Sequence, residues 1–172
     1  MEETGRARQA AAGDAAAFAA LVRMHEAKVR RFLNRLTRGD GADDLAQEVF
    51  VKAWSMRASW REEGSYGAWL MRIAWTSFLS ARRADTRRME RDFHTLESST
   101  PGAEFAPEAA LDVDRALASL DERERAAAML CFAEGYSHGE AARIMDLPLG
   151  TLKSIVARAR ARLVQSLESS NE

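Results

Sequence analysis

Lys153, Ser154, Ala157 and Arg158 are spaced so that any helix over residues 151–163 carries them on one face. Leu152, Val156, Ala159 and Leu163 fall on the opposite face as an apolar stripe. A lysine, a serine and an arginine displayed near a helix start are what a helix needs to enter the major groove of DNA. The fork of Arg158 suits a two-pronged pairing with guanine, whereas Thr151 and Lys153 stand nearer the phosphates. The same spacing also serves an ordinary bundle helix whose charged side meets water.

The residues just before this segment decide how it is presented. Ser137-His138-Gly139-Glu140 has the form of a capping box and opens a short helix carrying Ala141, Ala142, Ile144 and Met145. Asp146-Leu147-Pro148-Leu149-Gly150 reads as a turn, with Pro148 suited to the first turn of the next helix. A short helix, a tight turn and a longer basic helix make a helix-turn-helix.

Other chemistry finds no support. Cys131, His25, His94 and His138 lack zinc-ligand spacing, and neither a phosphate-cradling glycine loop nor a nucleophile with a base is present. The expectation is therefore no enzyme activity, no cofactor, no metal and no small-molecule substrate. Cys131 lies in an apolar run and is expected to be buried and inert, and His25 to be structural. A lone cysteine, no long apolar segment and no apolar signal core at the start point to the cytoplasm, without membrane insertion.

The net charge is −1, so bulk charge makes no case for nucleic acid, but its distribution does. Arg72, Arg82, Arg83, Arg87, Arg88 and Arg91 face only Asp85 and Glu90 over residues 72–91, and residues 151–163 hold Lys153, Arg158, Arg160 and Arg162 without an acid. Segregated positive charge is the footprint of a DNA-binding surface.

The elements that must position these groups are helical. Apolar residues make up 47% of the chain and charged ones 30%, which excludes a disordered chain, and alternating strand-like runs are absent. A helix is expected from about Asp14, its cap, to Thr37, with Phe18, Leu21, Val22, His25, Val29, Phe32, Leu33 and Leu36 as its stripe. Arg38-Gly39-Asp40-Gly41 breaks it. A second helix covers about Ala42–Met56, with Leu45, Val49 and Met56 on one side, Phe50 and Trp54 beside them, and Asp44, Gln47 and Glu48 outward. Residues 57–65 form a loop, and a third helix covers about Tyr66–Arg83.

From about Asp85 to Glu108 the periodicity fails, and two of the three prolines fall there. A flexible linker of this kind averages ~25 Å between its ends and reaches ~70 Å when stretched. Beyond it, Val113, Leu117 and Leu120 mark one helix and Ala126, Met129, Leu130 and Phe132 the next, which Gly135-Tyr136 stops. The expected architecture is all-α: two small helical domains, 1–84 and 109–172, joined by a flexible linker over 85–108, with the helix-turn-helix in the second.

With these residues placed, the sequence resembles the extracytoplasmic-function sigma factors of bacterial RNA polymerase. FAALVRMHEAKVRRFLNRLTRGDGADDLAQEVFVKAW with WREEGSYGAWLMRIA carries the first half of the likeness, and ALASLDERERAAAMLCFAEGYSHGEAARIMDLPLGTLKSIVARARARL the second. The resemblance implies that the first block is sigma domain two, whose DDLAQE helix docks on core RNA polymerase through Asp44, Gln47 and Glu48. It implies that Arg61, Ser65, Tyr66, Trp69 and Arg72 open and hold the minus-ten element of promoter DNA. Aromatic faces there, including Trp60, would stack unpaired bases at ~1–3 kcal/mol each. It implies that the second block is sigma domain four, reading the minus-thirty-five element through Thr151, Lys153, Ser154, Ala157 and Arg158. An anti-sigma protein is the further partner it implies.

The chain departs from the family pattern at Trp75, Thr76 and Ser80, where Arg, Asn and Asp are usual, and at Ala157, where larger side chains are common. Ile155 replaces a basic residue, which removes on the order of one phosphate contact or turns an apolar side chain toward a protein. Two other readings remain: a free DNA-binding regulator using only the last domain, and a sigma mimic that binds inhibitors without initiating transcription.

Overall fold

The structure is a computed structural model and describes residues 2–91 and 108–169. Asp14 accepts from the amides of Ala16 and Ala17 and starts α2, Ala15–Thr37, as expected. α2 ends where Arg38 adopts a left-handed conformation and returns its N–H to the Asn34 carbonyl. Gly41, also left-handed, leads into α3, Ala42–Ser55. Residues ahead of Asp14, which show no strong periodicity, form α1, Glu2–Ala11, seated on α2 through Ala7 and Ala10.

The loop after α3 holds a short 3₁₀ turn, Arg57–Ser59. Met56 lies beyond the end of α3 and is exposed, so it does not share the buried side of Leu45 and Val49. α4 begins at Tyr66 and runs to Arg91 rather than ending near Arg83. The first residues assigned to the linker, 85–91, are thus helical. The rest of that segment up to 107, with His94, lies outside the described residues.

The second half contains α5, Glu108–Ala118, and α6, Glu122–Ala128. α6 starts with a complete capping box between Asp121 and Glu124. It passes into a π-helical turn, Met129–Ala133, in which Glu134 N–H reaches back to the Met129 carbonyl. This wider turn rotates the chain by one position. Met129 and Leu130 are buried, but Phe132, expected on the same stripe, is half exposed. α7, His138–Met145, and α8, Leu149–Ser169, follow. No strand occurs among the described residues.

The two halves do not stand apart. Buried residues from Ala7 to Ala159 form one continuous apolar cluster, with α7 packed on α4 and α6 on α2. Arg125, 3% exposed, closes the seam. Its guanidinium donates to the carbonyls of Leu117 (2.9 Å), Leu120 (2.8 Å) and, across the two halves, Leu36 (3.4 Å).

Candidate nucleic-acid and polymerase interfaces

The capping box read from Ser137 and Glu140 is complete, each residue bonding the other's amide. The bonds from Ser137 hold the Glu140 carboxyl below its ordinary pKa. Asp146 takes the left-handed conformation that closes α7, and the Leu147 amide donates to the Ala142 carbonyl. Pro148 sits just outside α8, where it has no amide to leave unpaired and its carbonyl accepts from Leu152. The turn therefore sets α8 across α7, with Leu152, Val156 and Ala159 buried and Leu163 half buried.

Thr151, Lys153, Ser154, Ala157 and Arg158 are all exposed on the other side. Ile155 is 4% exposed and belongs to the core, so it offers nothing to a protein at the surface. Arg158 is not a freely extended fork. Its Nε lies 3.4 Å from Glu124, a carboxylate whose side chain is 2% exposed and which also accepts from Arg162 at 2.9 Å. The acid that balances the basic segment thus comes from another helix.

The loop after α3 turns at Gly64, whose φ of 140° favours glycine. Ser65 then caps α4, its hydroxyl accepting from the Ala68 amide at 3.1 Å. Arg61, Ser65 and Arg72 are exposed and Trp69 is half buried. Tyr66 and Trp60, expected as stacking faces, are buried. The Tyr66 ring sits 5.9 Å from His25, 5.8 Å from Trp60 and 5.2 Å from Trp69. Burial pushes the Tyr66 phenol up to about 12. Trp69, half buried, and an edge of Trp60 line a cavity of about 530 Å³ together with Arg61, Ser65 and Arg72. Glu140, Arg143 and Ile144 of α7 form its far wall, and Arg72 lies 3.6 Å from Asp146.

The three departures on α4 have local structural roles. Trp75 is buried and stacked on Phe78 at 5.7 Å. Thr76 and Ser80 are exposed, but their hydroxyls donate to carbonyls of their own helix.

On α3, Asp44, Gln47 and Glu48 share an exposed face. Glu48 pairs with Lys52 at 2.5 Å, one helical turn on, and Asp43 pairs with Arg30. His25 is half buried and bonded to Glu3, and Cys131 is half rather than fully buried, with burial pushing its thiol up.

The seam between the halves is ordered by charge. Each described ion pair across it takes its cation from the first half and its acid from the second: Lys28 and Arg31 with Glu134, Arg35 with Asp114, Arg72 with Asp146, Arg82 with Glu122. Lys28 also stands 4.9 Å over the Tyr136 ring. Nothing local in the sequence marks this arrangement, or the burial of Glu124, Arg125 and Glu134. The Asp121–Glu124 spacing did carry a signal, since it repeats the capping-box form found at Ser137.

Among the described residues no helix is long and apolar enough to cross a membrane, and no cluster of acids, histidines or cysteines could hold a metal.

Known proteins match this arrangement in order. Residues 21–88 match the family model of Sigma-70 region 2, and residues 110–163 that of Sigma-70, region 4. The chain is 35% identical to the ECF RNA polymerase sigma factor SigM of Mycobacterium tuberculosis over 159 residues, covering 91% of this chain and 80% of that one. Among solved structures it is similar to the sigma factor RpoE of Bartonella quintana in complex with the anti-sigma factor NepR. That likeness is 30% identical with a TM-score of 0.77, over 88% of this chain and 96% of the other. CnrH in complex with the cytosolic domain of CnrY is 26% identical with a TM-score of 0.72, over 98% and 99%. A region 2 on α2–α4, a region 4 on α5–α8 and a relative matched along most of its length place this chain in the extracytoplasmic-function family of RNA polymerase sigma factors.

Proposed function

We propose that this sigma factor divides its work among three surfaces in the cytoplasm. Asp44, Gln47 and Glu48 on α3 engage a basic element of core RNA polymerase. Arg61, Ser65, Trp69 and Arg72 engage the minus-ten element, with Tyr66 acting from behind as the support of Trp69. Thr151, Lys153, Ser154, Ala157 and Arg158 read the minus-thirty-five element. Residues 1–84 serve as domain two and 109–172 as domain four, joined through 85–108. The observation that carries the reading is the order of these surfaces on one chain: an exposed acidic helix face, a basic loop with a half-exposed tryptophan, and a helix-turn-helix with a basic outer face.

The closed arrangement adds a condition. α7 walls the cavity that holds Arg61, Trp69 and Arg72, while Asp146 and Glu122 occupy Arg72 and Arg82. The chain alone is therefore inert on promoter DNA and gains specificity when polymerase parts the halves. An anti-sigma protein that covers both halves is the expected inhibitor. The complex of the similar sigma factor RpoE with the anti-sigma factor NepR supports a partner of that kind.

Run-off transcription with core polymerase and a genomic promoter library tests the reading. New starts sharing two upstream motifs are the expected result, and none despite core binding would sink it. A second reading, a sigma mimic that only binds inhibitors, draws on Thr76 and Ser80, whose hydroxyls are bonded to their own helix. Starts that depend on Glu48 would exclude it.

A further inference from the structure

We propose that α1 is a strap that positions the minus-ten loop, with Arg8 and Glu3 as its two positioning residues; the inference rests on the minus-ten reading of residues 61–72. The loop is held at both ends by this one helix. At the front, the Arg8 guanidinium makes two hydrogen bonds to Glu62, Nε to Oε1 at 2.5 Å and Nη2 to Oε2 at 2.7 Å. At the rear, Glu3 Oε1 accepts from the Gly67 amide at 3.3 Å and lies 3.0 Å from His25 Nε2.

Each contact has a physical consequence for the loop. Arg61 and Glu63 line the cavity, while Glu62 between them pairs with Arg8. The two-pronged geometry fixes the direction of Glu62, and with it the direction of its neighbours. It also neutralises a carboxylate that would otherwise repel phosphates beside Arg61. At the other end, the first amides of a helix lack partners within it. Ser65 takes that of Ala68, and Glu3 takes that of Gly67, placing a carboxylate at the positive end of α4. The approach there is close. A Cβ on Gly67 would stand 3.1 Å from His25 Cε1 and 3.2 Å from the Tyr136 hydroxyl. Glu3 thereby ties α1, α2 and the start of α4 into one joint, two residues before Trp69.

Arg8 and Glu62 are both surface groups, and exposed pairs contribute little to stability. Reversing either charge should leave the fold intact and change only the loop. The test uses the full chain with core polymerase on a promoter that the wild-type chain serves. Arg8→Glu, Glu62→Arg and the double swap are compared by duplex opening, read from a fluorescent base in the minus-ten element. Core binding, melting temperature and hydrogen exchange over residues 57–65 are measured in parallel. Either single reversal should slow opening by about two- to fivefold, the factor an exposed ion pair commands. Exchange in the loop should quicken, core binding and melting temperature should stay unchanged, and the swap should restore both opening and exchange. Unchanged opening and exchange in the single reversals, or a swap that restores neither, would overturn the strap. A wild-type chain that opens no promoter would instead overturn the sigma reading, and the inference with it.

Discussion

Arg31 of α2 donates two hydrogen bonds, 2.9 and 3.0 Å, to Glu134, which lies at the end of the π turn in the other half of the chain. The Glu134 side chain is 1% exposed, and Lys28 supplies a second cation at 3.5 Å. A carboxylate so placed is stable only while its cations remain. Arg31→Ala should weaken the closed arrangement by about 1–2 kcal/mol, less than for a fully buried pair because Arg31 is half exposed and Lys28 remains. Adding Lys28→Ala should weaken it further. Small-angle scattering should show a larger radius of gyration in both variants, most of all in the double. The other seam pairs are exposed enough for salt to screen them, so the wild-type radius should also rise between low and high salt.

The α8 surface predicts two distinguishable losses. Arg158→Ala should cost about 1–3 kcal/mol at one base pair and relax the preference there, if the guanidinium leaves Glu124 to bond a guanine. Lys153→Ala should weaken all promoters about equally and reduce the salt slope by about one. A promoter library read by sequencing at two salt concentrations separates them. Equal behaviour of the two variants would remove Arg158 from base reading.

Charge reversal on α3 addresses polymerase. Glu48→Lys replaces the pair with Lys52 by two like charges one turn apart, a local cost of only about 0.3–0.5 kcal/mol. The melting temperature should barely move. Affinity for core polymerase should fall about tenfold, or about 1.4 kcal/mol, through lost complementarity with a basic element. Binding titrations with labelled chain check this, and unchanged affinity would move the docking site off this face.

His25 makes stability depend on pH. Burial, the main cause, pulls its pKa below the ordinary 6.5, while Glu3 on α1 raises it in part and Lys28 on its own helix lowers it. Tyr66 and Tyr136 also approach this site, and burial keeps both as neutral phenols. The unfolded chain therefore takes up a proton before the folded one as pH falls. The His25 contribution is complete above about 6.5 and is lost as pH drops from there toward the depressed folded value. Denaturant titrations from pH 7.5 to 5.5 should show this decline, and His25→Gln should flatten it.

Much of the molecule was legible locally. Asp14 announced the start of α2, Ser137 and Glu140 the start of α7, and the spacing of Leu152, Val156 and Ala159 the buried face of α8. Caps and stripes are short-range features, settled within a few residues by amide bonding and helical period. Tertiary packing decided the rest. It buried Tyr66 and most of Trp60, drew Arg158 toward Glu124, turned Ile155 into the core and laid α1 along the loop that precedes α4. Which charge meets which, as with Arg31 and Glu134, depends on segments brought together only when the apolar faces of both halves share one core. A single position cannot encode a pairing that exists only after that burial.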